Sequence, residues 1–224
     1  LGDVYKRQGV STASNIPDFR GKNGIYNTEN EWGLPPEIII SHTFFTRRTK
    51  DFYDYYKKYM VYPSAVPNAV HIALARLEKE GKIKAVLTQN IDGLHQAAGS
   101  KNVYELHGSV HRNYCTRCGK FYDLDYILGA KGVPTCECGG VIKPDVVLYE
   151  EPLDDDVWQG AWEEVRRADT LIVGGSSLTV YPAAGLVDMF YGKNLCIINA
   201  TPTPFDRRAT YLSHDSLTRE FENL

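Results

Sequence analysis

Three polar clusters hold the groups that could do chemistry in this chain of 224 residues. In "TQNIDGLH", Gln89, Asn90 and Asp92 follow a short apolar run. In "ELHGSV", His107 follows another, and in "GGSSLTVYPAAG" Ser176 and Ser177 follow a third. Amides and hydroxyls placed just past strands, near helix starts, suit ribose and phosphate groups. An imidazole, with an unperturbed pKa of about 6.5, is matched to general-base work near neutral pH. A second phosphate-facing turn is expected at "GVSTAS", which carries Gly9, Ser11, Thr12 and Ser14. Singly, each signal has a bland explanation. A glycine-serine turn is usually only a turn, His107 could be a satisfied core histidine, and Asp92 could cap the next helix.

The cysteines are more specific. "CTRC" supplies Cys115 and Cys118, "CEC" supplies Cys136 and Cys138, and each pair is followed by glycine. Two close pairs can complete a tetrahedral thiolate site for zinc. The following glycines let the backbone curl so that N–H groups face sulfur. A redox dithiol would need only one motif, so zinc is favoured over a redox pair or plain buried thiols. A site closed by four cysteines leaves no open position and is structural. The fifth, Cys196 in "LCIIN", is expected to be an inert core residue.

The elements that must position these groups alternate. "IKAVLTQN", "NVYELHG", "TLIVGGS" and "NLCIINA" read as short buried strands. "NAVHIALARLEKEGK" precedes the first, with Ala69, Ile72, Ala73 and Leu77 expected on one helical face and Gly81 as its stop. "DVWQGAWEEVRRAD" precedes the third, with Val157, Ala161, Trp162 and Val165 on one face. A further helix is expected at "YPAAGLVDMFYG". Strands alternating with helices predict an α/β fold, a doubly wound parallel sheet. Two stretches break the rhythm: an aromatic-rich helical segment at 24–60 and the cysteine segment at 112–145. Both read as insertions that form a smaller lobe, leaving 9–23, 61–111 and 146–224 to a nucleotide-binding domain.

A formal net charge of −3 with no basic run makes nucleic acid a poor partner. No stretch approaches the roughly 18 apolar residues of a membrane helix. No signal-peptide pattern appears, so a cytoplasmic location is expected. No Gly-x-Gly-x-x-Gly precedes a ribose-binding acid by roughly 20 residues, which disfavours an ordinary dehydrogenase.

"GVSTASNIPDFRGKNGIYN", "TQNIDGLH", "ELHGSV", the cysteine quartet, "IKPDVVLYEE" and "GGSSLTVYPAAG" together resemble the motif series of sirtuins, in its bacterial deacetylase-type branch. The resemblance runs from Gly9 to about Ala209. It implies an NAD-dependent protein-lysine deacetylase with a Rossmann-like domain and a small lobe of zinc and helical modules. It implies that Thr12, Phe19 and Arg20 contact NAD, with Phe19 shielding the reactive ribose carbon. Gln89 and Asn90 would position the ribose, and Ile91 and Asp92 the nicotinamide carboxamide. Ser176, Ser177 and Asn199 would bind the adenosine side, and His107 would be the catalytic base. Val146, Val147, Leu148 and Tyr149, within "DVVLYE", would pair with an acetyl-lysine peptide as an added strand. One structural zinc ion per chain is implied. The alternatives kept open are a protein mono-ADP-ribosyltransferase and a non-catalytic NAD-sensing module.

Two finer expectations follow. Sirtuins that favour acidic acyl groups carry a Tyr and an Arg beyond "DFR", whereas "GKNGIYNTENEWG" has no arginine after Arg20. Acetyl or neutral acyl groups are therefore expected over succinyl. Where sirtuins have Gly-Ala-Gly after an apolar strand, this chain has Arg7, Gln8 and Gly9. "LGDVYKRQ" does not read as a buried strand, so residues 1–8 are expected to be non-native sequence joined to a truncated chain.

Overall fold

The computed structural model describes residues 9–18, 24 and 31–222. The expectations for residues 1–8, for Phe19 and Arg20, and for most of the segment after Arg20 lie outside these. Among the described residues no helix is long and apolar enough to cross a membrane.

The small-lobe helices come first. These are α1 (Pro36–Ile39), α2 (His42–Arg47) and α3 (Thr49–Tyr59). Ser41 caps α2, its hydroxyl accepting the Phe44 N–H. In α3, Phe52, Tyr53, Tyr55 and Tyr56 are all buried, each burial being worth roughly 2–3 kcal/mol. They pack beside Phe44 and Phe45 in a core that also contains Ile127, Ile142, Cys115 and Cys136. Tyr53 Oη donates to the Ile142 carbonyl. The aromatic helices and the cysteine segment therefore share one core.

The cysteine segment is a three-stranded antiparallel sheet. β3 (Gly108–Cys115) lies between β4 (Phe121–Tyr122) and β5 (Ile142–Val146). The short helix α6 (Leu124–Gly129) follows β4, capped by the Asp123 carboxylate on Tyr126 N–H. The β3–β5 register shifts between Ser109 and Asn113.

The parallel strands fall in two pieces among the described residues. β1 (Val86–Thr88) pairs with β2 (Val103–Glu105). β6 (Thr170–Gly174), β7 (Asn194–Ile198) and β8 (Tyr211–Ser213) form the other. Their helices are α4 (Ala69–Lys79), α5 (Leu94–Ala98), α7 (Asp155–Arg167) and α8 (Leu217–Glu222). α7 buries Ala161 and Val165 as its pattern requires, and Asp154 caps it. Asp155 and Asp156 occupy its first turn, where the helix dipole favours negative charge.

Three expectations need correction. In α4 the buried residues are Val70, His71 and Ala73, while Ala69 and Ile72 are exposed. The Asn68 cap reaches the polar loop at residues 9–15 through Val10 and Ser14, and its N–H bonds His71 Nδ1, which turns that ring inward. "YPAAGLVDMFYG" forms only a 3-10 turn at Ala183–Val187. Cys196 is half-buried rather than a core residue, although burial pushes its thiol pKa up, as an inert role requires.

Candidate active site

The ends of β1 and β6 face one cleft of about 1450 Å³. Its walls include Thr12, Gln89, Asn90, Ile91, Asp92, His107, Ser176, Ser177 and Asn199. The same cleft is lined by Val146, Val147, Leu148 and Tyr149. All the expected binding residues that the structure describes thus border a single space, large enough for a dinucleotide.

The polar clusters are wired to one another. Gln89 Nε2 reaches Ser176 Oγ at 3.5 Å, joining the two parallel pieces. Asn90 Nδ2 donates to Ser11 Oγ at 2.8 Å, and Ser11 Oγ donates to Asp92 Oδ2 at 2.6 Å. The other Asp92 oxygen accepts the Leu94 N–H. Asp92 thus both holds the first N–H of α5 and anchors the opening loop. Thr12 Oγ1 donates back to the Gly9 carbonyl, tightening the turn. Asn199 is buried, with its amide donating to the Thr201 carbonyl.

His107 sits two residues beyond β2. Its Nδ1 lies 3.1 Å from the Gln89 carbonyl oxygen. A carbonyl only accepts, so Nδ1 carries the proton and Nε2 is the basic nitrogen. Burial pushes the imidazole pKa below its ordinary value, outweighing the opposing hydrogen bond to Gln89.

The segment at Val146–Tyr149 is partly engaged within the protein. Val147 N–H donates to the His107 carbonyl, and Tyr149 N–H to the Ile40 carbonyl. Leu148 N–H donates to Glu151 Oε2, which also pairs with Lys143, while Oε1 pairs with His42. The Val147 carbonyl takes no hydrogen bond from the described residues.

Sequence reasoning missed Asn68 and His71. Asn68 Nδ2 donates to the Val10 carbonyl and to Ser14 Oγ, both at 2.9 Å. Its own N–H is bound by His71 Nδ1, and its Oδ1 caps α4. This clasp fixes the loop carrying Ser11 and Thr12. The only signal in the sequence was "PNAVH", which reads as an ordinary helix start.

The four sulfurs of Cys115, Cys118, Cys136 and Cys138 lie within 4.8 Å of one another. Cys115 and Cys138 approach to 3.4 Å, and Cys118 and Cys136 to 3.6 Å. These separations are far beyond a disulfide bond of about 2.05 Å. They suit the edges of a tetrahedron around an ion held at about 2.3 Å. Gly119 and Gly139, at φ of +71° and +79°, supply the curl after each pair. Arg117 N–H and Cys138 N–H point at Cys115 and Cys136 sulfur. The donor set fits structural zinc.

A parallel-sheet nucleotide cleft bordered by a tetrathiolate lobe, with a partly buried imidazole between, defines an NAD-consuming protein deacylase class. Residues 8–182 match the model of the Sir2 family, and the chain belongs to that family. It is similar to an NAD-dependent protein deacetylase of Clostridium acetobutylicum, 55% identical over 218 residues, covering 96% of this chain and 89% of the relative. A Clostridium perfringens protein of the same description is 57% identical over 211 residues, covering 93% and 86%. Among solved structures, a Sir2 variant with a deacetylated p53 peptide and 3'-O-acetyl ADP ribose superposes with a TM-score of 0.88. It is 41% identical, and the match covers 96% of this chain and 87% of that one.

Proposed function

We infer that this chain is an NAD-dependent protein-lysine deacetylase. Acetyl-lysine, NAD and water would give lysine, nicotinamide and O-acetyl-ADP-ribose. The observation that carries the reading is His107: it lines the cleft, its Nδ1 is held by Gln89, and Nε2 is left to take a proton. The names of the bacterial relatives, and a Sir2 structure holding an acetyl ADP ribose, support the same chemistry.

Thr12, Gln89, Asn90, Ile91, Asp92, Ser176, Ser177 and Asn199 would hold NAD, with Phe19 and Arg20 assigned by their motif alone. NAD supplies a ribose carbon activated by its nicotinamide leaving group. The amides and hydroxyls on the cleft wall are oriented in advance by their mutual hydrogen bonds. Ile91 packs against the small-lobe core and helps keep water out. Release and recapture of nicotinamide makes no demand on a base. His107 would then take the proton of a ribose hydroxyl, which commits the acyl group to transfer.

An acetyl-lysine peptide would lie along Val146–Tyr149, which lines the cleft; Sir2 neighbours solved with a p53 peptide and with a propionylated peptide support a peptide substrate. The Val147 carbonyl is a ready acceptor for an amide N–H of that substrate. Acetyl over succinyl preference belongs to this reading, and faster desuccinylation of a matched peptide would overturn it. The division into a nucleotide domain and a small lobe at 24–60 and 112–145 belongs to it as well. So does a cytoplasmic location, because unpaired cysteines arranged for a metal suit a reducing compartment.

Mass spectrometry of an acetyl-peptide with and without NAD tests the function. Loss of the acetyl group only with NAD, abolished in His107→Ala, is expected. Gain of an ADP-ribose mass on the peptide would point to the transferase instead.

A further inference from the structure

One guanidinium bridges two carboxylates on either side of the base. Arg112 Nη1 donates to Glu105 Oε2 at 2.5 Å, and Arg112 Nε donates to Asp145 Oδ2 at 2.7 Å. Glu105 ends β2, two residues before His107, and its side chain is only 7% exposed. Asp145 lies in β5, immediately before Val146. The three charges therefore join the strand leading to the base with the strand leading to the proposed peptide segment.

The backbone explains why a side chain is needed there. The β3–β5 ladder pairs Gly108 with Val146 and Ser109 with Asp145, then shifts register until Asn113 pairs with Pro144. Such interruptions bend a strand and re-aim side chains beside active sites. Arg112 sits inside the interruption, and its fork spans it. At Gly108, with φ of +73°, an added Cβ would meet the Asp145 carbonyl oxygen at 1.8 Å. The chain just after His107 is thus pressed against the chain just before Val146, with no slack for either to shift alone.

We propose that Arg112 is a positioning residue for His107, holding the base-bearing turn in register with the peptide segment. It acts through Glu105 and Asp145 and touches no reacting atom. A planar guanidinium offers two donors in a fixed geometry, whereas a lysine ammonium is a single point charge. The nearly buried Glu105 also needs a compensating partner, so truncating Arg112 alone would strand a charge. Misplacing a catalytic group by about 1 Å costs on the order of a hundredfold in rate. Loosening one end of the bridge is expected to cost about tenfold.

The inference rests on the deacetylase reading, and the experiment separates the two. Arg112→Lys keeps the charge and loses the fork. A second variant, Glu105→Gln with Arg112→Gln, removes both charges and leaves a neutral pair that spares the fold. For each, deacetylation, exchange of labelled nicotinamide into NAD at saturating acetyl-peptide, and the melting temperature are measured. Deacetylation kcat should fall about tenfold while exchange, which needs no base, stays within about twofold. Unchanged deacetylation overturns the proposal, as does a parallel loss of both activities with a lowered melting temperature. A wild-type chain with neither activity overturns the deacetylase reading itself, and this inference with it.

Discussion

His107 Nδ1 is hydrogen-bonded to the Gln89 carbonyl oxygen, 3.1 Å away, so the proposed base and the segment proposed to position the ribose are one mechanical unit. The bond selects the tautomer in which Nε2 is basic. Burial lowers the imidazole pKa, so the neutral form persists below the ordinary value of about 6.5. The acidic limb of the kcat/KM profile, which reports the free enzyme, is therefore expected below pH 6.5, and a pH-rate series at subsaturating substrate measures it. A limb at or above that value would mean that the base is not this histidine.

The Asn68 clasp predicts a cofactor-affinity effect. Asn68→Asp keeps an oxygen to cap α4 but loses both donors, to Val10 and to Ser14. Losing about 1.4 kcal/mol of loop anchoring corresponds to about a tenfold rise in KM for NAD, with kcat little changed. Asn68→Ala should do the same and also lower the melting temperature, since a lost cap costs about 1 kcal/mol. Steady-state kinetics against NAD and a thermal melt distinguish the two variants.

The contrast between His107 and Asn68 shows which parts of the site were legible in the sequence. Gln89, Asn90, Asp92, His107 and Ser176 each follow an apolar run closely enough to be placed at a strand end, and parallel strands bring such ends together. The cysteine spacing stated its own geometry. Asn68 and His71 could not be read in this way, because their partners are 54 and 58 residues away or lie inside the cap itself. The same blindness misplaced the buried face of α4. An apolar count puts Ile72 inward and a histidine outward, but the Asn68 N–H bonded to His71 Nδ1 turns the histidine inward, even though its Nε2 finds no partner among the described residues. The internal engagement of Val147, Leu148 and Tyr149 N–H groups was equally invisible, since it depends on Ile40, Glu151 and His107 meeting in space.

Zinc removal should act on the proposed base, His107, through β3. This strand begins at Gly108, beside His107, and ends at Cys115, a member of the thiolate set. Cys115 and Cys136 also belong to the small-lobe core. Chelation, or Cys136→Ser, is expected to unfold the lobe locally, because structural zinc contributes on the order of 10 kcal/mol to such segments. Activity should fall by about tenfold or more, together with bound zinc measured by elemental analysis. An enzyme that keeps full activity after complete zinc loss would break the link.

His71 predicts how stability depends on pH. It is fully buried, its ring packs edge-on against His95 at 4.7 Å, and its Nε2 has no partner among the described residues. Burial, aided by the neighbouring His95, pushes its pKa down to about 4 from 6.5. Above pH 6.5 both the folded and unfolded chains carry a neutral ring, and the term is silent. As pH falls from 6.5 towards about 4, the unfolded chain takes up a proton that the folded chain refuses. Stability is then lost progressively, by up to about 3 kcal/mol from this one group. Denaturant melts across that window should show the decline, and His71→Gln should flatten it. Because His71 Nδ1 holds the Asn68 N–H, protonation also competes directly with the clasp, so NAD affinity should hold across most of that window and weaken only as pH approaches about 4, where the folded chain takes up the proton. A decline equally steep in His71→Gln would move the effect to His95 or to the carboxylates.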